Sequence, residues 1–120
     1  MISVKLNTDK EIIAPIYKKE GADLKENSAA VIAKDGENIL GYCIFEIRKK
    51  DILIEKIVPE NDIPLADGLI RSAVFSMIQR GITEAFYSLS AEEVIRKTGF
   101  VKDLKSRSVS TEKLFISCKE

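Results

Sequence analysis

The chain has 120 residues, 45% of them hydrophobic and 32% charged, with 19 Lys plus Arg balanced by 19 Asp plus Glu. That is one domain's worth of chain, able to bury a core without metals or disulfide staples, and it carries no basic footprint for nucleic acid. Histidine is absent. Its absence removes Ser-His and Cys-His pairs and the usual zinc sites, so chemistry here must run on carboxylates, Lys, Tyr, Cys or backbone groups.

The opening "MISVKLNTDKE" has neither the basic start nor the apolar stretch of a secretory signal, and no segment approaches a membrane span. A cytoplasmic location with no membrane partner is expected. Ile2, Val4 and Leu6 alternate with Ser3 and Lys5, the period of a half-buried first strand. Thr8 with Glu11 resembles a capping box, and Ile12, Ile13, Ile16 and Tyr17 share a face before Gly21. Pro15 predicts that this helix is short or kinked.

From Ser28 the pattern becomes "SAAVIAKDGENILGYCIFEIRKKDILIEKIV". Asp35-Gly36 is a hairpin signal, because glycine takes the positive φ such turns need. "RKKD" at 48–51 is a second polar break, so three antiparallel strands follow one another, the second and third apolar enough to lie centrally. Cys43 and Cys118 lack C-x-x-C spacing and read as two separate thiols.

The next stretch, "KIVPENDIPLADGLIRSAV", runs from strand through an acidic turn into a helix. Leu65, Leu69, Ala73 and Met77 form one i, i+4 row and Ala66, Ile70, Val74 and Ile78 the adjacent one, a broad face for packing on a sheet. Asn61 or Asp62 is the expected cap, Pro64 is tolerable in the first turn, and Arg80-Gly81 closes the far end. Phe75 falls off the stripe beside Arg71 and marks either a homodimer contact or a covered helix edge. "ITEAFYS" returns as a strand. Ser90 with Glu93 makes a second capping box, with Leu89 and Val94 as its staple, before a short helix ending at Gly99. "FVKD" and "EKLFISCK" are expected to close the chain as two strands.

The order β, α, β, β, β, α, β, α, β, β, with the long helix joining two parallel neighbours, is an α+β architecture with a mixed, mainly antiparallel sheet in a single domain, 1–120. It resembles the GNAT superfamily of acyl-CoA-dependent N-acyltransferases, most closely over 28–103. "IVPEN", 57–61, looks like that family's strand end before its pyrophosphate loop. "AEEVIRKTGF", 91–100, looks like its closing segment, usually Asn-x-x-Ala-x-x-x-Tyr-x-x-x-Gly-Phe. Ala91, Gly99 and Phe100 match that form, while Ser88 stands for the Asn and Ile95 for the Tyr.

The resemblance implies a fold with a splayed parallel strand pair, in which pantetheine lies against the backbone of Ile57 and Val58. It also implies a pyrophosphate on the helix start, where Ile63, Leu65, Ala66, Asp67 and Gly68 are the cofactor-binding candidates and acetyl-CoA the co-substrate. The family's glycine-rich loop is replaced by "DIPLAD", 62–67, in which Pro64 lacks an N–H and the acids repel phosphate.

The resemblance also implies a base beside the acyl group and often a tyrosine acid: Glu55 is the candidate catalytic base and Glu46 the second choice, while the competing reading of Glu55 is a solvent-facing strand residue paired with a lysine. Tyr87, or Tyr42, is the candidate acid in place of the tyrosine missing at Ile95, each with a core-aromatic reading beside it. Cys43 raises a covalent alternative that lacks a cationic partner. "RKK", 48–50, is either an anion contact or a solvated turn.

The function implied is acetyl-CoA-dependent N-acetyl transfer to a small-molecule or protein amine. The alternative is a catalytically inactive GNAT-like module that binds a ligand or protein. In the family that the chain resembles, the region between the first two strands builds the acceptor pocket; here that region, 8–27, is short, which implies an open pocket or one completed by a partner subunit.

Overall fold

The computed structural model describes residues 2–111. Its elements follow the expected order: β1 (Ile2–Asn7), α1 (Lys10–Glu20), β2 (Ser28–Asp35), β3 (Asn38–Ile47), β4 (Asp51–Val58), α2 (Ile63–Ile78), β5 (Glu84–Tyr87), α3 (Glu92–Thr98), β6 (Val101–Asp103) and β7 (Ser108–Val109). They build a sheet in the order β1-β2-β3-β4-β5-β7-β6, antiparallel except for the β4–β5 pair. The expected closing strand at 112–119, with Cys118, lies outside the described residues. Among the described residues β7, which the sequence did not suggest, inserts between β5 and β6.

Local signals account for most boundaries. Gly36 takes φ 63 in the two-residue turn that pairs Asp35 with Asn38. α2 starts at Asp62, whose carboxylate accepts from the Leu65 N–H at 3.1 Å, and it ends around Gly81, φ 84, where the Ile82 N–H donates to the Met77 carbonyl at 3.0 Å.

Three local expectations fail. Asp9, not Thr8, caps α1 by accepting from the Glu11 N–H at 3.0 Å; the eleven-residue helix has Pro15 inside it. Ala91 stands at the cap of α3 with no side-chain bond, and the Leu89 staple is not formed because Leu89 is 67% exposed. Ile2 and Val4 are exposed because β1 is the edge strand, and of its alternating apolar residues only Leu6 packs on the core.

Helices cover both faces of the sheet. On one face α2 and α3 bury Ala66, Leu69, Ile70, Ala73, Val94 and Ile95 against Val31, Phe45, Ile54 and Ile57. On the other face α1 buries Ile13, Ile16 and Tyr17 against Ala30, Ile32, Tyr42 and Ile44. Burying a side chain of this size contributes about 1.5–3 kcal/mol. Tyr17 also fixes α1 in position: its hydroxyl donates toward the Ala29 and Phe45 carbonyls, at 2.7 and 2.9 Å, and accepts from the Ala29 N–H at 3.2 Å. Among the described residues no helix is long and apolar enough to cross a membrane.

Candidate functional site

The parallel pairing of β4 with β5 covers only half of β4. Asp51, Ile52, Leu53 and Ile54 face Glu84, Ala85, Phe86 and Tyr87, and there β5 stops. Ser88 fastens the point of departure: its N–H donates to the Ile54 carbonyl at 2.8 Å and its hydroxyl to the Glu55 carbonyl at 2.7 Å. The chain then turns into a short 3₁₀ segment, Leu89–Ala91, and leaves β4. Residues 56–58 go on pairing with β3 and, among the described residues, have no strand on their other side. The two strands thus part after Glu55, and Phe86 lies within the paired part.

A β-bulge sits at the same point. Ile54 pairs with Phe45 and Lys56 with Ile44, so Glu55 is the extra residue. A strand's side chains alternate, so Ile54 and Ile57 would ordinarily face opposite ways. With the extra residue both reach the α2 face, and Glu55 and Lys56 together are left to line the other. The sequence carries this signal as a break in period: "ILIEKIV" places two consecutive polar residues between apolar positions 54 and 57.

Glu55 and Lys56 line a cavity of about 310 Å³ on the α1 face, with Glu20, Gly21, Ala22 and Asp23 from the end of α1, Ile44 from β3, and Ser88 and Ser90 from the segment after β5. The Lys56 ammonium pairs with Glu20 at 3.3 Å, and Glu20 also accepts from the Tyr42 hydroxyl. Among the described residues Glu55 makes no such pair. Its burial, and next the nearby Glu46 carboxylate, raise its pKa above the usual carboxylate value, opposed by Lys25, which pairs with Glu46 at 3.4 Å. A carboxyl held this way is suited to taking a proton from an amine.

The other candidates lie apart from this cavity. Tyr87 is 1% exposed on the α2 face, its hydroxyl has no hydrogen-bond partner among the described residues, and burial raises its pKa. Tyr42 is held by Glu20, and burial together with that bond raises its pKa. Cys43 is fully buried on the α2 face, its pKa pushed up to about 12 by burial, which keeps it a thiol. Arg48 pairs with Asp51 across the turn and lies 5.8 Å from the Phe86 ring centroid. Phe75 is exposed on α2.

The far end of the open β4 segment runs into α2. Ile57 buries its side chain in the core while its backbone lies on the unpaired stretch with that of Val58. At the helix start, Leu65 N–H is taken by the Asp62 carboxylate and Ala66 N–H donates to the Asp62 carbonyl at 2.9 Å. Pro64 has no N–H, Asp67 pairs with Arg71, and Gly68 faces open space. Ile63 opens the helix, and its N–H is the one first-turn amide without an acceptor among the described residues.

Gly41, which the sequence did not single out, allows the junction to form. A Cβ there would stand 2.4 Å from the Val58 carbonyl oxygen and 2.9 Å from Pro59 Cδ. Beside this junction, Pro15, Ile16, Ile39, Leu40, Tyr42 and Pro59 line a second, more apolar cavity of about 430 Å³.

No protein-family model and no curated protein matches the sequence. Solved structures do. Two ribosomal-protein-alanine N-acetyltransferases are similar: one from Brucella melitensis, TM-score 0.58 at 16% identity over 81% of this chain and 87% of that one, and one from Escherichia coli, TM-score 0.59 at 9% identity over 90% and 88%. The PaiA N-acetyltransferase of Thermoplasma acidophilum, solved in complex with coenzyme A, matches with TM-score 0.52 at 13% identity over 89% and 96%. The parted parallel strands, the bulge and these neighbours agree: the chain has the fold of the GNAT superfamily of acyltransferases.

Proposed function

We propose that the protein is an acetyl-CoA-dependent N-acetyltransferase acting on an amine. One observation carries the reading: β4 outlasts its parallel neighbour, and a bulge in its pairing with β3 at the same point turns Glu55 into a cavity. The donor would supply an acetyl thioester. The open backbone of 56–58 would hold its extended pantetheine arm, as an added strand is held at a sheet edge. The acceptor amine would occupy the cavity, where Glu55 removes a proton from its ammonium form; the neutral nitrogen then forms the new C–N bond, the C–S bond breaks to release coenzyme A as its thiolate, and the proton shed by the nascent amide nitrogen passes through water to that thiolate. Ser88 holds the backbone of Glu55, and Glu20 keeps Lys56 from neutralising it.

The capped start of α2 favours a second reading, a GNAT-shaped module that binds a ligand or protein without turnover. Calorimetric titration with acetyl-CoA and free CoA separates the two. The enzyme reading expects micromolar binding and thiol release on adding amines. No heat with either ligand at millimolar concentration rejects it and leaves the binding module.

A further inference from the structure

The two ends of the open β4 segment suit different parts of an acyl donor. Residues 56–58 lead through the turn 59–62 into α2, so an extended molecule lying on this edge has its thioester near Glu55 and its other end at the helix start. A pantetheine arm is uncharged and needs backbone partners, which the strand edge supplies. A pyrophosphate needs free N–H donors or cations.

The start of α2 offers little of either, since among the described residues only the Ile63 N–H of its first turn has no acceptor. Asp62 Oδ1 is bonded to the Leu65 N–H at 3.1 Å, the Ala66 N–H is bonded to the Asp62 carbonyl at 2.9 Å, and Pro64 has no N–H. Arg71, the next cation along the helix, pairs with Asp67 and lies 5.0 Å from the Phe100 ring centroid. Exposed Glu60 and Asp62 add negative charge where the pyrophosphate would arrive.

We propose that the donor is recognised through its thioester and pantetheine arm alone, so that the nucleotide end of coenzyme A adds no affinity. The donor class is then pantetheine thioesters in general, with acetyl-CoA one member. This inference rests on the acyl-transfer reading above.

The test is calorimetric titration of the whole chain with acetyl-CoA and with S-acetylpantetheine at low salt. Dissociation constants within about threefold of one another, or a tighter S-acetylpantetheine, support the inference. Asp62→Asn keeps an N-cap acceptor but removes its charge, so it should tighten acetyl-CoA by about tenfold and leave S-acetylpantetheine within about twofold. Acetyl-CoA binding tenfold or more tightly than S-acetylpantetheine in the unaltered protein overturns the inference and leaves acyl transfer standing. An unchanged ratio in Asp62→Asn also overturns it, since the α2 start is then not the cause. If neither thioester binds, the acyl-transfer reading fails and takes this inference with it.

Discussion

The two ends of one unpaired strand segment are finished in opposite ways. At Glu55 the neighbouring strand is pinned by Ser88 and then turned aside, which opens backbone and leaves a carboxyl facing a cavity. Three residues on, the chain turns toward a helix whose Leu65 and Ala66 N–H groups are already bonded to Asp62. Both ends use a short polar side chain bonded to backbone, with opposite results. Ser88 bonds across to another strand and holds a gap open, whereas Asp62 bonds within its own helix and seals a potential anion site. A fold can thus keep the geometry of a site while local chemistry changes what the site accepts.

The largest effect expected is at the open end. Replacing Glu55 by Gln removes the proposed base, so acetyl transfer should fall about a hundredfold or more while the acetyl-CoA dissociation constant stays within about twofold. In the unaltered protein kcat/KM should rise with pH through a midpoint above the ordinary carboxyl value of 4.5. The stability consequence has a definite sign. A raised folded-state pKa favours the protonated carboxyl, so this contribution is present below pH 4.5 and is lost as pH rises through the folded value. Glu55→Gln should therefore gain stability relative to the parent between acid and neutral pH in urea melts. A constant difference across that range would show that Glu55 is not held as described.

Next comes the junction between the two ends. Gly41→Ala places a Cβ 2.4 Å from the Val58 carbonyl oxygen, so backbone rather than a flexible side chain must move. Overpacking of this kind costs about 3 kcal/mol, read as a lower urea midpoint. Unchanged stability would mean that β3 and the end of β4 do not approach so closely.

How much of this the sequence disclosed follows from how local each cause is. The ends of α2 were legible because Asp62, Pro64 and Gly81 act within a few residues of themselves, and its two apolar rows carry the helical period. The β2–β3 hairpin was legible through Gly36 for the same reason. Capping was less so: Asp9 and Thr8 both qualify by type, and only backbone geometry selects one. Ser88 and Tyr17 were not legible as structural pins, since their partners are 33 and 12 or 28 residues away in sequence. Glu55 was chosen as a candidate from the GNAT resemblance, but the bulge that turns it into the cavity shows in sequence only as a skipped beat. Gly41 is an ordinary glycine until Pro59 folds against it.

A smaller effect is expected at Ser88. Ser88→Ala loses one hydrogen bond to the Glu55 carbonyl, about 1 kcal/mol of stability. If that bond also sets how deeply Glu55 is held, the variant should lower the Glu55 pKa toward the ordinary carboxyl range in a carbon-13 NMR titration, and Ser88→Thr should restore it. A loss of stability with no movement of the titration would reduce Ser88 to a fastening of strand ends.

The smallest effect falls at the sealed end, where the sign is more informative than the size. Asp62→Ala removes the acceptor for the Leu65 N–H, which costs about 1 kcal/mol of stability in the free protein. The same change frees that N–H and removes a negative charge from the helix start, where an anion is favoured by the helix dipole. Stability and acetyl-CoA affinity should therefore move in opposite directions, and added inorganic phosphate should recover part of the lost melting temperature in the variant and none in the parent. A carboxylate that only caps the helix predicts the stability loss alone. Only if Asp62 both caps α2 and excludes phosphate will the variant bind acetyl-CoA more tightly while melting earlier.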